Sequence, residues 1–147
     1  MTISDASVSN RANSVSFGTA APSTYPYRME QSVMHIDVAE HNGAAVVRPL
    51  GTRVDLQVAG EFRNALLQLI DVGHHRLVVD LSNVEFVDSS GLGALVSALK
   101  TLRLLKGGGD IRLANVQPSV VALLEIIRLH RVFFSYPSVE QAIQSFN

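Results

Sequence analysis

The sequence predicts an α/β domain with a mostly parallel sheet, and three observations carry that prediction. Short apolar, β-branched runs alternate with segments of helical spacing from residue 34 onward. A hairpin signal, Asn42-Gly43, opens the series, and glycines stand after two of the helical segments, where a left-handed residue ends a helix. The 147 residues suit one domain, since a typical domain takes roughly 100–200. Hydrophobic residues make up 47% and charged residues 17%, enough to bury a large interior and too apolar for a disordered or fibrous chain.

The apolar runs Val33–Val38 and Ala44–Leu50 flank Glu40-His41-Asn42-Gly43 and predict an antiparallel pair. Between Gln57 and Val72, Val58, Phe62, Leu66 and Leu69 follow helical spacing, with Gly73 as the stop. Leu77-Val78-Val79, carried on past Asp80 to Leu81, is a short apolar run, the pattern of a central strand covered on both faces. A second helix places Leu92, Leu95, Val96, Leu99 and Leu102 on one face and Lys100, Arg103 and Lys106 off it, closing at Gly107-Gly108-Gly109. Ile111, Leu113 and, after a break in period, Val116 suggest a further strand. Pro118 suits the first turn of a third helix, continued by Val120, Val121, Leu124 and Ile127 to about His130. Val132–Tyr136 reads as a last strand, and Ser138 with Gln141 as the capping box of a final helix through Phe146. The order is ββαβαβαβα.

Residues 1–33 stand apart: seven serines, three threonines, two prolines, four charges and scattered aliphatics such as Ile3, Val8 and Val15. Such a segment cannot offset its ordering entropy, so a flexible tail is expected ahead of a domain over 34–147. Met34 opens the periodic part, which leaves an internal translation start there as an open reading.

Twelve basic against thirteen acidic residues give a net charge of -1, which offers no overall electrostatic reason to expect nucleic acid or an anionic membrane as partner. Without cysteine there is no disulfide framework, thiol nucleophile or thiolate metal site. No run approaches the ~18–20 apolar residues of a membrane span, and the N-terminus lacks the layout of a secretory signal. A cytoplasmic protein without membrane insertion is expected.

The most informative segment is Val84-Glu85-Phe86-Val87-Asp88-Ser89-Ser90-Gly91-Leu92-Gly93, which joins a strand to a helix. The carboxyl ends of strands in α/β sheets gather ligands and modifications, and a helix N-terminus adds unpaired N–H groups and a partial positive charge of ~0.5. Asp88, Ser89 and Ser90 are also good cap residues, so their chemistry leaves two readings open: helix start, or hydroxyl presented to a partner.

The stretch Val87-Asp88-Ser89-Ser90-Gly91-Leu92-Gly93 resembles the signature of STAS domains, in particular the bacterial anti-sigma factor antagonists. The likeness spans residues 34–147 and includes Asp55, which lies 33 positions ahead of Asp88 in the loop before the first helix. It implies a STAS-like fold with helices mainly on one side of the sheet, and a switch protein that is not an enzyme and needs no cofactor or metal. By the resemblance, Ser90 is phosphorylated by a serine kinase that doubles as the anti-sigma factor. The unmodified form then binds that factor and frees a sigma factor, and a PP2C-type phosphatase reverses the modification. Asp55, Asp88, Ser89, Gly91, Leu92 and Gly93 form the implied switch loop, Asp55 and Asp88 shaping the site and orienting the hydroxyl, unless Asp88 is only a cap. One departure is that Thr52, not glycine, stands three residues before Asp55, with Gly51 one earlier. The alternative is a stressosome scaffold or transporter-associated STAS module with no kinase cycle. Direct nucleic-acid binding is not expected, and self-association is left open.

Other signals carry less. Ser90 is not a hydrolase elbow, because Asp88 takes the place of the first glycine of Gly-x-Ser-x-Gly. Gly107-Gly108-Gly109 follows a helix and lacks the Lys-Ser/Thr of a P-loop. His74 and His75 read as a solvated turn, not metal ligands. His130, Arg128 and Arg131 read as partners of helix-end carbonyls. Of Phe133 and Phe134, at least one is expected in the core. A small flavodoxin-like enzyme survives as a third class only because fold does not dictate function.

Overall fold

The positive backbone angles of Asn42 (φ +52°) and Gly43 (φ +83°) close the first turn. They join β1 (Ile36–His41) to β2 (Ala44–Pro49) as an antiparallel pair with His41 opposite Ala44. The computed structural model describes residues 34–147. The reading of residues 1–33 as a tail, and Val33 as a strand residue, lie outside the described residues.

Beyond the hairpin the chain alternates helix and strand. α1 (Leu56–Asp71) ends before Gly73, whose φ of +110° is one that L side chains rarely adopt, and β4 (Arg76–Asp80) follows. α2 (Ser89–Leu104) leads to β6 (Asp110–Ala114), and α3 (Pro118–Ile126) to β7 (Ser135–Tyr136). α4 (Val139–Gln144) closes the chain. The five-stranded sheet has the order β1-β2-β4-β6-β7, antiparallel at β1–β2 and parallel elsewhere, so the apolar strand β4 is central as its sequence predicts. The alternation of strand side chains sorts the two faces. Val47, Leu77, Val79, Ile111 and Leu113 pack against Phe62, Leu66, Leu95, Leu102 and Leu124 of α1, α2 and α3. Val46, Val78 and Ala114 point the other way, onto Ala142 and Ile143 of α4. Three helices cover one face and the shortest covers the other.

The sequence reading lacked one element pair. β3 (Arg53–Val54) and β5 (Phe86–Val87) form a separate two-stranded parallel sheet, pairing Arg53 with Phe86 and Val54 with Val87. Two residues per strand are too few to show an alternating pattern. The pair is continued by backbone bonds from Glu85 and Phe86 N–H to the Thr52 carbonyl at 2.8 and 3.1 Å.

Several boundaries differ from expectation. α2 stops at Leu104, short of the glycine run, because Leu105 turns extended (φ -75°, ψ 149°). β6 ends at Ala114 and leaves Val116 outside, since Asn115 turns left-handed at φ +57°. α3 ends at Ile126 instead of near His130: Arg128 adopts φ +63°, and Leu129–Arg131 form a 3-10 turn. The expected strand Val132–Tyr136 shrinks to Ser135–Tyr136, because Val132 and Phe133 N–H groups still bond to the Leu129 carbonyl of that turn. Phe133 fills the core while Phe134 is exposed. Arg128, His130 and Arg131 are exposed and, among the described residues, make no side-chain hydrogen bond to helix carbonyls, contrary to the reading of their sequence. Ser138 Oγ accepts from Gln141 N–H at 3.1 Å as a cap, and α4 ends at Gln144, ahead of Phe146.

Candidate functional site

The register of the small sheet brings the loop before α1 beside the loop before α2. Arg53 opposite Phe86 and Val54 opposite Val87 repeat the 33-residue offset of Asp55 and Asp88, so both aspartates leave the pair side by side, each as a helix N-cap. Asp55 Oδ1 accepts from Gln57 N–H at 3.2 Å, and its Oδ2 from Arg53 Nε at 3.2 Å. Arg53 also lies over the Phe86 ring, 4.3 Å from its centre.

Asp88 works on two helices. Its Oδ1 accepts from Gly91 N–H in its own helix at 3.0 Å, and its Oδ2 from Leu56 N–H at the start of α1, also 3.0 Å. Both oxygens are thereby committed to orphan donors of helix first turns. Among the described residues no hydrogen bond joins that carboxylate to the Ser90 hydroxyl.

Gly91 is buried where α2 crosses β3. A Cβ there would stand 2.3 Å from the Val54 carbonyl oxygen and 2.9 Å from Val87 Cγ1, so only glycine admits this approach. Gly93 is different: it is exposed, and a Cβ on it would meet nothing within 4 Å. Leu92 is turned into the core at 4% exposure. Below the loop, Val54, Phe62, Val87, Leu92 and Leu95 enclose an apolar gap of about 10 Å³, so the loop rests on a packed interior.

Ser89 is exposed and Ser90 is partly exposed, at the first two positions of α2. Among the described residues no hydrogen bond engages the Ser90 hydroxyl, and the N–H groups of the first turn favour a negative charge there. Two large apolar side chains share this end of the molecule, Leu56 at 75% exposure and Phe86 at 42%. Of the predicted site residues, Asp55, Asp88, Ser89, Ser90 and Gly91 meet at one surface or directly under it. Leu92 supports the loop from inside, and Gly93 stands free. Sequence reasoning missed Arg53, Leu56 and Phe86. The signal was available in the 33-residue offset, which extends from the aspartates back to the two residues before each. His74 and His75 lie far along the chain from this surface, and no group of three or more His, Asp or Glu poised for a metal occurs among the described residues. No helix among them is long and apolar enough to cross a membrane.

Comparison with known proteins bears on the family and the fold. The STAS domain family model matches residues 35–142. The Mycobacterium tuberculosis protein RsfB, an anti-sigma-F factor antagonist, is 30% identical over 98 residues, covering 67% of this chain and 80% of that protein. The anti-sigma F factor antagonist of Paenibacillus polymyxa is 27% identical over 111 residues, covering 75% and 92%. In three dimensions, the crystal structure of an anti-sigma factor antagonist from Mycobacterium paratuberculosis superimposes with a TM-score of 0.67 at 24% identity, over 78% of this chain and 94% of that one. These relatives are named for antagonism of another protein, not for a reaction they catalyse. The chain therefore belongs to the STAS domain family and is related to the bacterial anti-sigma factor antagonists.

Proposed function

We propose that this chain is a cytoplasmic anti-sigma factor antagonist switched by phosphorylation of Ser90. The unmodified protein binds an anti-sigma factor that is also a serine kinase and so frees a sigma factor; modification abolishes that binding, and a PP2C-type phosphatase restores it. The observation that carries the reading is Ser90 itself, a partly exposed hydroxyl at the start of α2 with exposed Leu56 and Phe86 at the same end. Kinship to proteins named as antagonists of anti-sigma factors supplies the partner class.

The physical consequence of modification follows from its place. A phosphoserine adds about 1.5–2 negative charges at neutral pH. The fold tolerates it because the α2 N-terminus favours an anion. Docking does not tolerate it, since an interface built against a neutral hydroxyl and two apolar side chains has then to desolvate a dianion lying beside Asp88 and Asp55. Binding is lost with the fold unchanged.

The test is incubation with a cognate histidine-kinase-like anti-sigma factor and ATP, followed by intact mass and peptide mapping. One phosphate on Ser90, together with a complex that forms only before modification, is the expected result. Neither phosphate nor complex would reject this reading in favour of a scaffold or transporter-associated STAS module.

A further inference from the structure

At the far end of α2 from Ser90, an open groove of about 350 Å³ runs between that helix and the 3-10 turn. Val96, Leu99, Leu129, Val132 and Phe133 line it, and Leu104 stands at its edge 86% exposed. Lys100 and Arg103 also line it.

The segment from Lys100 to Arg131, which supplies part of the groove's lining, is basic on balance. Residues 100–131 hold six basic side chains and two acidic ones, whereas residues 34–99 hold four and eight, an asymmetry hidden by the chain's net charge of -1. Arg112 is used on the opposite face, ion-paired with Asp110, bonded to Ser145 Oγ at 2.9 Å and stacked on Phe146. Arg103 is 3.1 Å from Asp110. Lys100, Lys106, Arg128 and Arg131 are exposed and have no ion pair among the described residues; Glu125 is the other acid in this stretch.

We infer that this groove docks an acidic amphipathic helix of a second protein, independently of the Ser90 surface. From Val96 to Leu104 the lining follows helix positions 96, 99, 100, 103 and 104, a stripe about 12 Å long that suits roughly two turns of a partner helix. Apolar anchors at i, i+3, i+4 and i+7 fill the groove, and Asp or Glu on the flanks meet Lys100, which lines it, and the exposed Arg128 and Arg131, which neighbour lining residues Leu129 and Val132 in the chain. A second copy of the chain docking groove to groove would bring two surfaces carrying Lys100 and Arg103 together, which the charge disfavours. A flat lipid surface cannot reach the recessed Leu99 and Phe133.

The test uses the full chain with labelled methyl groups, titrated with a ~16-residue peptide bearing leucines at i, i+3, i+4 and i+7 and glutamates elsewhere. Shifts confined to the methyls of Val96, Leu99, Leu129 and Val132 are expected. Leu104→Glu, which sets a like charge against the acidic peptide at the groove's edge, and separately Lys100→Glu with Arg131→Glu, weaken binding ~10-fold or more, about 1.4 kcal/mol. Ser90→Asp leaves it unchanged, so failure here is distinct from failure of the switch. The inference is overturned by an absence of shifts at ~1 mM peptide, a very weak limit. Equal affinity for a lysine-for-glutamate peptide overturns it too. So does binding of phosphatidylserine vesicles in preference to the peptide, which means a lipid site. Groove shifts that follow protein concentration alone mean a second copy and also overturn it.

Discussion

Asp88 accepts a hydrogen bond from the backbone N–H of Leu56, 32 residues earlier in the chain, at 3.0 Å. With its other oxygen on Gly91 N–H, one carboxylate fastens the first turns of α1 and α2 together at the surface that carries Ser90. Replacing Asp88 by Ala strips both helices of an N-terminal acceptor. A loss of about 2 kcal/mol is expected, at roughly 1 kcal/mol per cap. Asp88→Asn keeps one acceptor oxygen and loses about half as much. Urea unfolding checks both, and an Asn variant as stable as the parent would show that the bridge to Leu56 contributes nothing.

Two glycines only two positions apart, Gly91 and Gly93, need not behave alike. Gly91→Ala drives a methyl into the Val54 carbonyl and destabilises by about 1–3 kcal/mol, the range for overpacking. Gly93→Ala has open space and helical backbone, and is neutral or stabilising by about 0.5–1 kcal/mol. Thermal unfolding of the two single variants separates them. Equal effects would contradict the close approach of α2 to β3.

Asn115 holds the end of β6 in a left-handed turn at φ +57° while its amide donates to buried Asp80 at 3.1 Å. Asn115→Gly relaxes the backbone and loses only the side-chain bond, whereas Asn115→Ala loses the bond and keeps the strain. The alanine variant is expected to be the less stable of the two by about 1–2 kcal/mol, the left-handed penalty. Denaturant midpoints compared at equal slope decide it.

Ser90→Ala is expected to bind the anti-sigma factor like the parent and to escape inactivation by the kinase. Ser90→Asp weakens binding through charge while its stability stays within about 0.5 kcal/mol of the parent, as suits a surface change at a helix start. Calorimetric titration with a parallel melt reads both quantities. Parent-like binding by both variants and by the kinase-treated protein would remove charge at Ser90 as the switch.

Much of this architecture was legible because apolar period and turn chemistry agree: Asn42-Gly43, Gly73 and Leu77–Val79 each dictate their element locally. The third crossover was not legible. Leu123, Ile126, Ile127, Leu129, Val132 and Phe133 keep apolar residues recurring at spacings of one to three across the segment, and nothing local announces that Arg128 turns left-handed and breaks the helix. β3 and β5 were hidden for another reason, since two-residue strands exist only through each other's backbone. At the site, the cap residues and Gly91 were readable by type. The reach of Asp88 across to Leu56 is a tertiary fact that only the paired loops create.

The central claim is that charge at Ser90 changes the docking surface and leaves the fold alone. Its most direct test is the affinity of stoichiometrically Ser90-phosphorylated protein for the anti-sigma factor, measured beside the unmodified protein with the unfolding midpoint of each. The account predicts a loss of at least ~100-fold in affinity, about 2.7 kcal/mol, with midpoints that agree. Equal affinities, or a loss accompanied by partial unfolding of the phosphoprotein, would contradict it.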